Sequence, residues 1–233
     1  MATAHDLDLP RQVGILRSIQ VGTPRTYGVE GAAEPLDRPW ETSFFREPVA
    51  GPRWLYTTHL EGNAQADTKN HGSLNQAVLV YAAAHYPTWR VELGRPDIAC
   101  GGFGENFTVE GMDERAVCLA DRYRIGGAEI AVTDPRFPCE TIERRWRSPG
   151  LRARVGITGR TGWYCRVLAE GSVEAGQPIT LVARPHPGWT IARINAAVHG
   201  PDTDRDEIVA VLACPALDPW WHTRLRKRLG QVR

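Results

Sequence analysis

Apolar and polar residues alternate along this chain in short runs set off by glycine and proline: Val13 to Val21, Arg53 to Leu60, Tyr123 to Ile125, Glu129 to Thr133, Trp163 to Ala169 and Ile179 to Ala183. A period of two between turn residues predicts strands, and this spacing predicts a barrel or a sandwich. Gly126-Gly127, set between Ile125 and Ala128, predicts a two-residue hairpin. The period changes to three and four from Leu74 to Tyr86, where Ala77, Val78, Tyr81, Ala84 and His85 recur. That pattern predicts one helix, capped at Asn75 and ended by Pro87.

After Pro185 the strand signal disappears and three helical patterns follow, each behind a capping residue. Thr190 precedes Ile191 to His199, Asp204 precedes Arg205 to Ala213, and Asp218 precedes a run to Leu229 with Pro219 at its first position. The predicted fold is mainly β with α: a barrel or sandwich domain over residues 1–184 and a three-helix unit over 185–233. Arg224, Arg226, Lys227 and Arg228 near the last helix end suit its macrodipole. Few aromatics or glycines interleave with them, so they read as a solvated helix end and not a nucleic-acid patch. Trp220-Trp221 beside them leaves two readings open, a docking or homodimer surface and packing onto the barrel.

With 233 residues and 42% hydrophobic content, the chain can bury a substantial core. Its 28 Lys plus Arg against 27 Asp plus Glu leave a net charge of +1, and no global field draws it to nucleic acid or a membrane surface. No apolar stretch reaches the roughly 18 residues of a spanning helix, and Met1 to Arg11 lacks the pattern of a signal peptide, so the expected location is cytoplasmic. The five cysteines, at positions 100, 118, 139, 165 and 214, are odd in number and widely spaced. This fits neither a disulfide framework nor paired zinc ligands. The seven histidines form no H-E-x-x-H pair.

Candidate chemistry concentrates in three segments. In Thr133-Asp134-Pro135-Arg136-Phe137-Pro138-Cys139-Glu140, Cys139 follows a strand-like run and precedes a helical turn from Thr141. A guanidinium three residues away and a helix N-terminus both favour thiolate, the form that attacks electrophiles and binds soft metals. The alternative is a small buried hydrophobe. The polar stretch from Glu61 to Ser73 fits neither a core strand nor an amphipathic helix and predicts a long loop, a common binding element. Gly101-Gly102-Phe103-Gly104-Glu105-Asn106 lets backbone amides approach a ligand, and it equally fits an ordinary glycine turn.

Together these segments resemble the MOSC family, named after the C-terminal part of molybdenum cofactor sulfurase, and within it the bacterial YiiM-like branch. The resemblance is carried by Gly62 with Gln65-Ala66-Asp67 and His71-Gly72, by Gly104-Glu105-Asn106, by Pro135 to Cys139, and by Thr161-Gly162-Trp163-Tyr164 with Arg166-Val167. His186-Pro187-Gly188-Trp189-Thr190 resembles the opening of that branch's three-helix domain. Departures are Asn63 where the family usually has Asp, Ser73 where it has glycine, and Arg46 where it has lysine, which trades a point charge for a planar fork.

The resemblance implies a β-barrel whose site holds molybdenum cofactor, with Cys139 as the metal ligand. Arg46, Lys69 and Arg136 would supply charge for the cofactor phosphate, Gln65, His71 and Asn106 would read its polar edges, and Gly72 would shape the site. It further implies an oxidoreductase that reduces a small N-hydroxylated substrate, such as a hydroxylaminopurine, to the amine. His71, Asp67 and Glu105 are the expected proton relays. No flavin fingerprint or iron–sulfur cysteine set is present, so electrons would come from a separate donor protein. Two alternatives are a cofactor carrier or sulfur-transfer protein without turnover and a hydrolase using Cys139 and His71.

Overall fold

The computed structural model describes residues 9–231; the start of the Met1 to Arg11 stretch read above for a leader lies outside them. Seven strands close into a barrel. They are β1 (Arg11–Val21), β6 (Val78–Ala82), β7 (Phe107–Glu110), β8 (Arg122–Ile125), β9 (Ala128–Pro135), β10 (Trp163–Ala169) and β12 (Pro178–Ala183). Their order is β12-β8-β9-β10-β6-β7-β1, and pairing of β1 with β12 closes the ring, which leaves no barrel edge to be covered. Every barrel pairing is antiparallel except β6 with β7. Five short strands decorate it: β2 (Arg25–Tyr27) pairs with β3 (Trp40–Thr42), β4 (Glu47–Pro48) adds to β1, and β5 (Arg53–Leu55) pairs with β11 (Gly171–Val173). The run read as a strand over Arg53 to Leu60 therefore contributes only its first three residues, and these lie outside the barrel.

The Gly126-Gly127 hairpin forms as expected, with Ile125 opposite Ala128. Gly126 has φ +55°, the left-handed conformation that a two-residue turn of this kind demands of its first central residue.

The helix expected over Leu74 to Tyr86 does not form. Leu74–Gln76 is a single 3-10 turn capped by Ser73, whose hydroxyl accepts from Asn75 N, and Val78–Ala82 is strand β6. All five β6 residues are buried, between β10 and the parallel β7. A continuous apolar run is what a strand flanked on both sides requires, and over so short a length it mimics helical spacing. Pro87 opens a helix instead of ending one: it occupies the first turn of α2 (Tyr86–Leu93), where a missing N–H costs nothing. The polar segment from Glu61 is a loop that ends in one short helix, α1 (Thr68–His71).

Helices α3 (Thr141–Trp146) and α4 (Leu151–Thr158) fill the long connection from β9 to β10. The C-terminal helices fall where their caps predicted: α5 (Ile191–His199), α6 (Arg205–Leu212) and α7 (Pro219–Leu229). Thr190, Asp204 and Asp218 each accept a backbone N–H through the side chain. Barrel residues such as Leu16, Val132 and Leu181 share one hydrophobic cluster with Ile191, Ile208 and Leu225 of these helices. Trp221 is 3% exposed within that cluster, which resolves the Trp220-Trp221 pair in part, since Trp221 packs inward and only Trp220 remains substantially exposed. Among the described residues no helix is long and apolar enough to cross a membrane.

Candidate functional site

Strand β9 ends at Pro135 and delivers Arg136 to Cys139 to the rim of the barrel before α3 begins. This segment is pinned at two points. Arg136 N donates to Gly162 O at 3.1 Å, and Arg152 Nε of α4 donates to Pro138 O at 3.0 Å. Cys139 is thereby fixed, half-buried, at the meeting of two cavities. Of the five cysteines it alone lines either of them. Burial raises the thiol pKa of Cys118 to about 11 and pushes those of Cys165 and Cys214 up as well, which keeps all three as inert packing groups. The helix behind Cys139 has 6 residues, so the expected contribution of its terminus is that of little more than one turn.

The smaller cavity, about 190 Å³, is walled by Arg46, Gln65, His71, Asn106, Arg136 and Cys139, with Asp67 also on its surface. Seven residues expected from the sequence thus converge from four separate parts of the chain. Arg46 and Arg136 are both buried and face the cavity together. Burial lowers the Arg46 pKa to about 10, which still leaves it charged at neutral pH. Arg136, 2% exposed, lies 5.6 Å from the centre of the Phe44 ring. Among the described residues Arg46 Nε and Arg136 Nη1 have no hydrogen-bond partner. Two buried guanidinium donors left unsatisfied beside a thiol mark a place for an anionic ligand. Burial, followed by the charge of Arg136, lowers the His71 pKa, so this imidazole is neutral at physiological pH.

Three expected site residues hold other positions. Glu105 lines neither cavity. It is fully buried and accepts from Gly101 N at 2.7 Å, Phe103 N at 3.2 Å, Thr108 Oγ1 at 2.8 Å and the Tyr86 hydroxyl. Its side chain organises the glycine loop from within, away from the walls of both cavities. Gly72 also lies outside both walls; a Cβ there would meet Thr68 O at 2.3 Å, so its role is to let the chain leave α1. Lys69 borders only the larger cavity, on an exposed rim. Asn106 does reach the smaller cavity, but its carboxamide is occupied by Arg46, by Leu79 N and by Gln20 O. It positions the cation more than it reads a ligand.

The glycine loop contributes shape. Gly104 has φ +72°, and a Cβ there would lie 2.5 Å from the Phe44 ring, against which the cavity wall is built. Tyr164, part of the Thr161 to Tyr164 motif, lines both cavities, and burial raises its phenol pKa. Asp134 carries no signal in the sequence, where the strand period makes it an ordinary alternating polar residue. It is 8% exposed on the wall of the larger cavity, one of its oxygens has no partner, and burial followed by the charge of Asp218 pushes its carboxyl up to about 7.

A family model for the MOSC domain matches residues 67–180, and one for the YiiM-like 3-alpha helix domain matches residues 189–231. The chain belongs to the MOSC family. The protein YflK of Bacillus subtilis is 34% identical over 215 residues, spanning 92% of this chain and 94% of that one. The protein YiiM of Escherichia coli is 32% identical over 184 residues, 77% of this chain and 81% of its own. A protein of Gibberella moniliformis named Reductase is 30% identical over 180 residues, 76% of this chain but 32% of its own length. The crystal structure of YiiM from Geobacillus stearothermophilus superposes with a TM-score of 0.72 at 30% identity, covering 93% of this chain and 99% of that one. The MOSC barrel and the appended helices are thus shared with YiiM over nearly the full chain.

Proposed function

We propose that this MOSC protein holds molybdenum cofactor through Cys139 and reduces N-hydroxylated compounds to amines. The observation that carries the reading is the half-buried Cys139 thiol beside two buried guanidinium groups with unsatisfied donors, on a cavity wall. A soft thiolate suits molybdenum, and paired arginines suit the phosphate that a pterin cofactor carries. Arg46 and Arg136 would hold that phosphate, while Gln65 and His71 would meet the pterin's polar edges. Among the described residues no three His, Cys, Asp and Glu side chains gather as a cage for an ion. In this reading the metal's other ligands come from the cofactor.

Bound there, the cofactor would supply two-electron chemistry with an affinity for oxygen. The net reaction is R–NHOH plus two electrons and two protons giving R–NH2 and water. The N–O bond breaks, one proton ends on nitrogen and one on the departing oxygen, and a separate redox protein provides the electrons. His71, neutral and on the surface of both cavities, passes protons inward from solvent, with Asp67 beside it on the same walls. The name Reductase carried by the Gibberella moniliformis relative supports the reaction class.

The test is molybdenum per chain by mass spectrometry for the wild type and Cys139→Ala, purified from a host that makes the cofactor, together with turnover of a hydroxylamine panel under a chemical reductant. Near-stoichiometric metal that the variant loses, with turnover that follows the metal, is the expected result. Metal without turnover would make the protein a carrier. Equal turnover without metal would refute the reading.

A further inference from the structure

Glu114, in the connection from β7 to β8, is 4% exposed and lines neither cavity. Its two carboxyl oxygens hold separate partners: Oε1 accepts Gly162 N at 2.7 Å, and Oε2 lies 2.7 Å from His85 Nε2. His85 stands edge-on to Tyr81 of β6, ring centres 5.3 Å apart. A buried carboxyl adds little stability that an apolar side chain of its size would not supply, so what Glu114 contributes is the direction of its bonds.

The bond to Gly162 leads to the site. Gly162 O accepts Arg136 N at 3.1 Å, the contact that pins the start of the Arg136 to Cys139 segment. The same glycine therefore donates to Glu114 and accepts from Arg136. Its φ is +75°, and a Cβ there would meet Val80 O at 2.4 Å, so this turn lies tight against β6 and only glycine fits it.

Glu114 is held in turn by the three-helix unit. Its carbonyl oxygen accepts Ala192 N at 2.7 Å, Val117 O accepts Ile191 N at 2.9 Å, and Leu119 N donates to Trp189 O at 2.9 Å. A second link from α5 reaches the same glycine. Asn195 Nδ2 donates to Thr161 Oγ1 at 2.8 Å, and that hydroxyl donates to Gly162 O at 2.9 Å, with Asn195 and Thr161 both buried. A buried polar chain of this kind specifies one arrangement, because a displaced member leaves an unpaired group behind.

We propose that Glu114 is a positioning residue of the Cys139 site, joining α5 to the Gly162 turn that aims Arg136 and Cys139 at the small cavity. It touches no ligand. The three-helix unit in this view sets the geometry of the site from behind. The proposal rests on the cofactor reading for what Arg136 and Cys139 hold, and on the hydrogen bonds alone for how they are held.

Amide hydrogen exchange of the full-length protein, read by NMR, tests it together with molybdenum per chain and a melting curve for wild type, Glu114→Leu, Glu114→Gln and Ile208→Ala. Exchange at the Arg136 amide is taken relative to that of Val132 on the same strand, bonded to Asp121 O at 2.9 Å, so that a uniform loss of stability cancels. Ile208 is fully buried in α6 and lines neither cavity, so its truncation weakens the three-helix unit and leaves these bonds in place.

In Glu114→Leu the relative exchange at Arg136 is expected to rise about tenfold or more, and molybdenum per chain to fall, as a loss of affinity of roughly tenfold or more implies. Glu114→Gln keeps a carbonyl oxygen for Gly162 N and restores both. Ile208→Ala melts earlier yet keeps the wild-type exchange ratio and metal. An unchanged ratio or full metal content in Glu114→Leu, or an equal loss of metal in Ile208→Ala, would each overturn the proposal. So would an Arg136 amide unprotected in wild type, which needs no variant to fold. A raised ratio in Glu114→Leu with no molybdenum in any form, wild type included, would support the positioning role and count against the cofactor reading alone.

Discussion

Arg46 Nη1 donates to Asn106 Oδ1 at 2.6 Å, and the same oxygen accepts Leu79 N at 3.2 Å while Asn106 Nδ2 reaches Gln20 O at 3.3 Å. One carboxamide thus ties the cavity's buried cation to β1, to β6 and to the entry of β7. The cation is placed by the barrel itself, since these are neighbouring strands of the closed sheet.

Replacing this residue by leucine leaves two buried donors without an acceptor. Each such donor costs roughly 1–3 kcal/mol, so Asn106→Leu is expected to lower unfolding stability by about 2–6 kcal/mol. Urea denaturation followed by fluorescence checks it. A loss within measurement error would mean that Arg46 finds another acceptor.

Arg136 is expected to behave oppositely. It is 2% exposed and Nη1 lacks a partner, so Arg136→Met removes an uncompensated buried donor while keeping most of the volume. Thermal stability of the ligand-free protein should hold or rise. Cofactor retention should fall, because a charge-assisted hydrogen bond is lost, roughly tenfold to a hundredfold in affinity. Molybdenum per chain beside a melting curve separates the two effects. Retained metal in this variant would remove Arg136 from the cofactor's binding set.

Asp134 gives a pH signature. Its carboxyl is raised to about 7 by burial and by Asp218, whereas an unfolded aspartate titrates near the ordinary carboxylate value. Between these values the folded protein holds a proton that the unfolded chain has released. Its contribution to stability is therefore greatest at low pH and is lost as pH rises, by about 1.4 kcal/mol per unit at most, flattening above neutrality. Asp134→Asn removes this slope. Chemical denaturation at pH 5 and pH 7.5 should show the variant gaining on wild type at the higher pH; parallel curves would show that Asp134 is not perturbed.

Gly104 is expected to resist substitution for two reasons at once. Alanine at its φ of +72° costs about 1 kcal/mol in backbone strain, and the new Cβ would lie 2.5 Å from the Phe44 ring, which must move into the small cavity. Gly104→Ala should lower the melting temperature by several degrees and reduce molybdenum content together. A variant that loses stability but keeps its metal would confine Gly104 to a folding role.

Local rules decided much of this architecture. Thr190, Asp204 and Asp218 set the starts of the C-terminal helices because a capping oxygen bonds an amide two or three residues on, an interaction complete within one turn. Gly126-Gly127 fixed a hairpin for the same reason, and the Pro135 to Cys139 segment stands after its strand as its alternation required. Contacts between distant segments decided the rest. Val78 to Ala82 became a strand because β7 and β10 occupy its two sides, and Pro87 then opened the next helix. Glu105 was drawn to the amides of Gly101 and Phe103 and away from the ligand side. Asp134 and Trp220 lie 86 residues apart in number yet line one cavity. Hydrogen bonds spanning a few residues leave a mark in the sequence, whereas the burial of a carboxylate beneath another domain's helix exists only once the barrel has closed and the helices have packed against it.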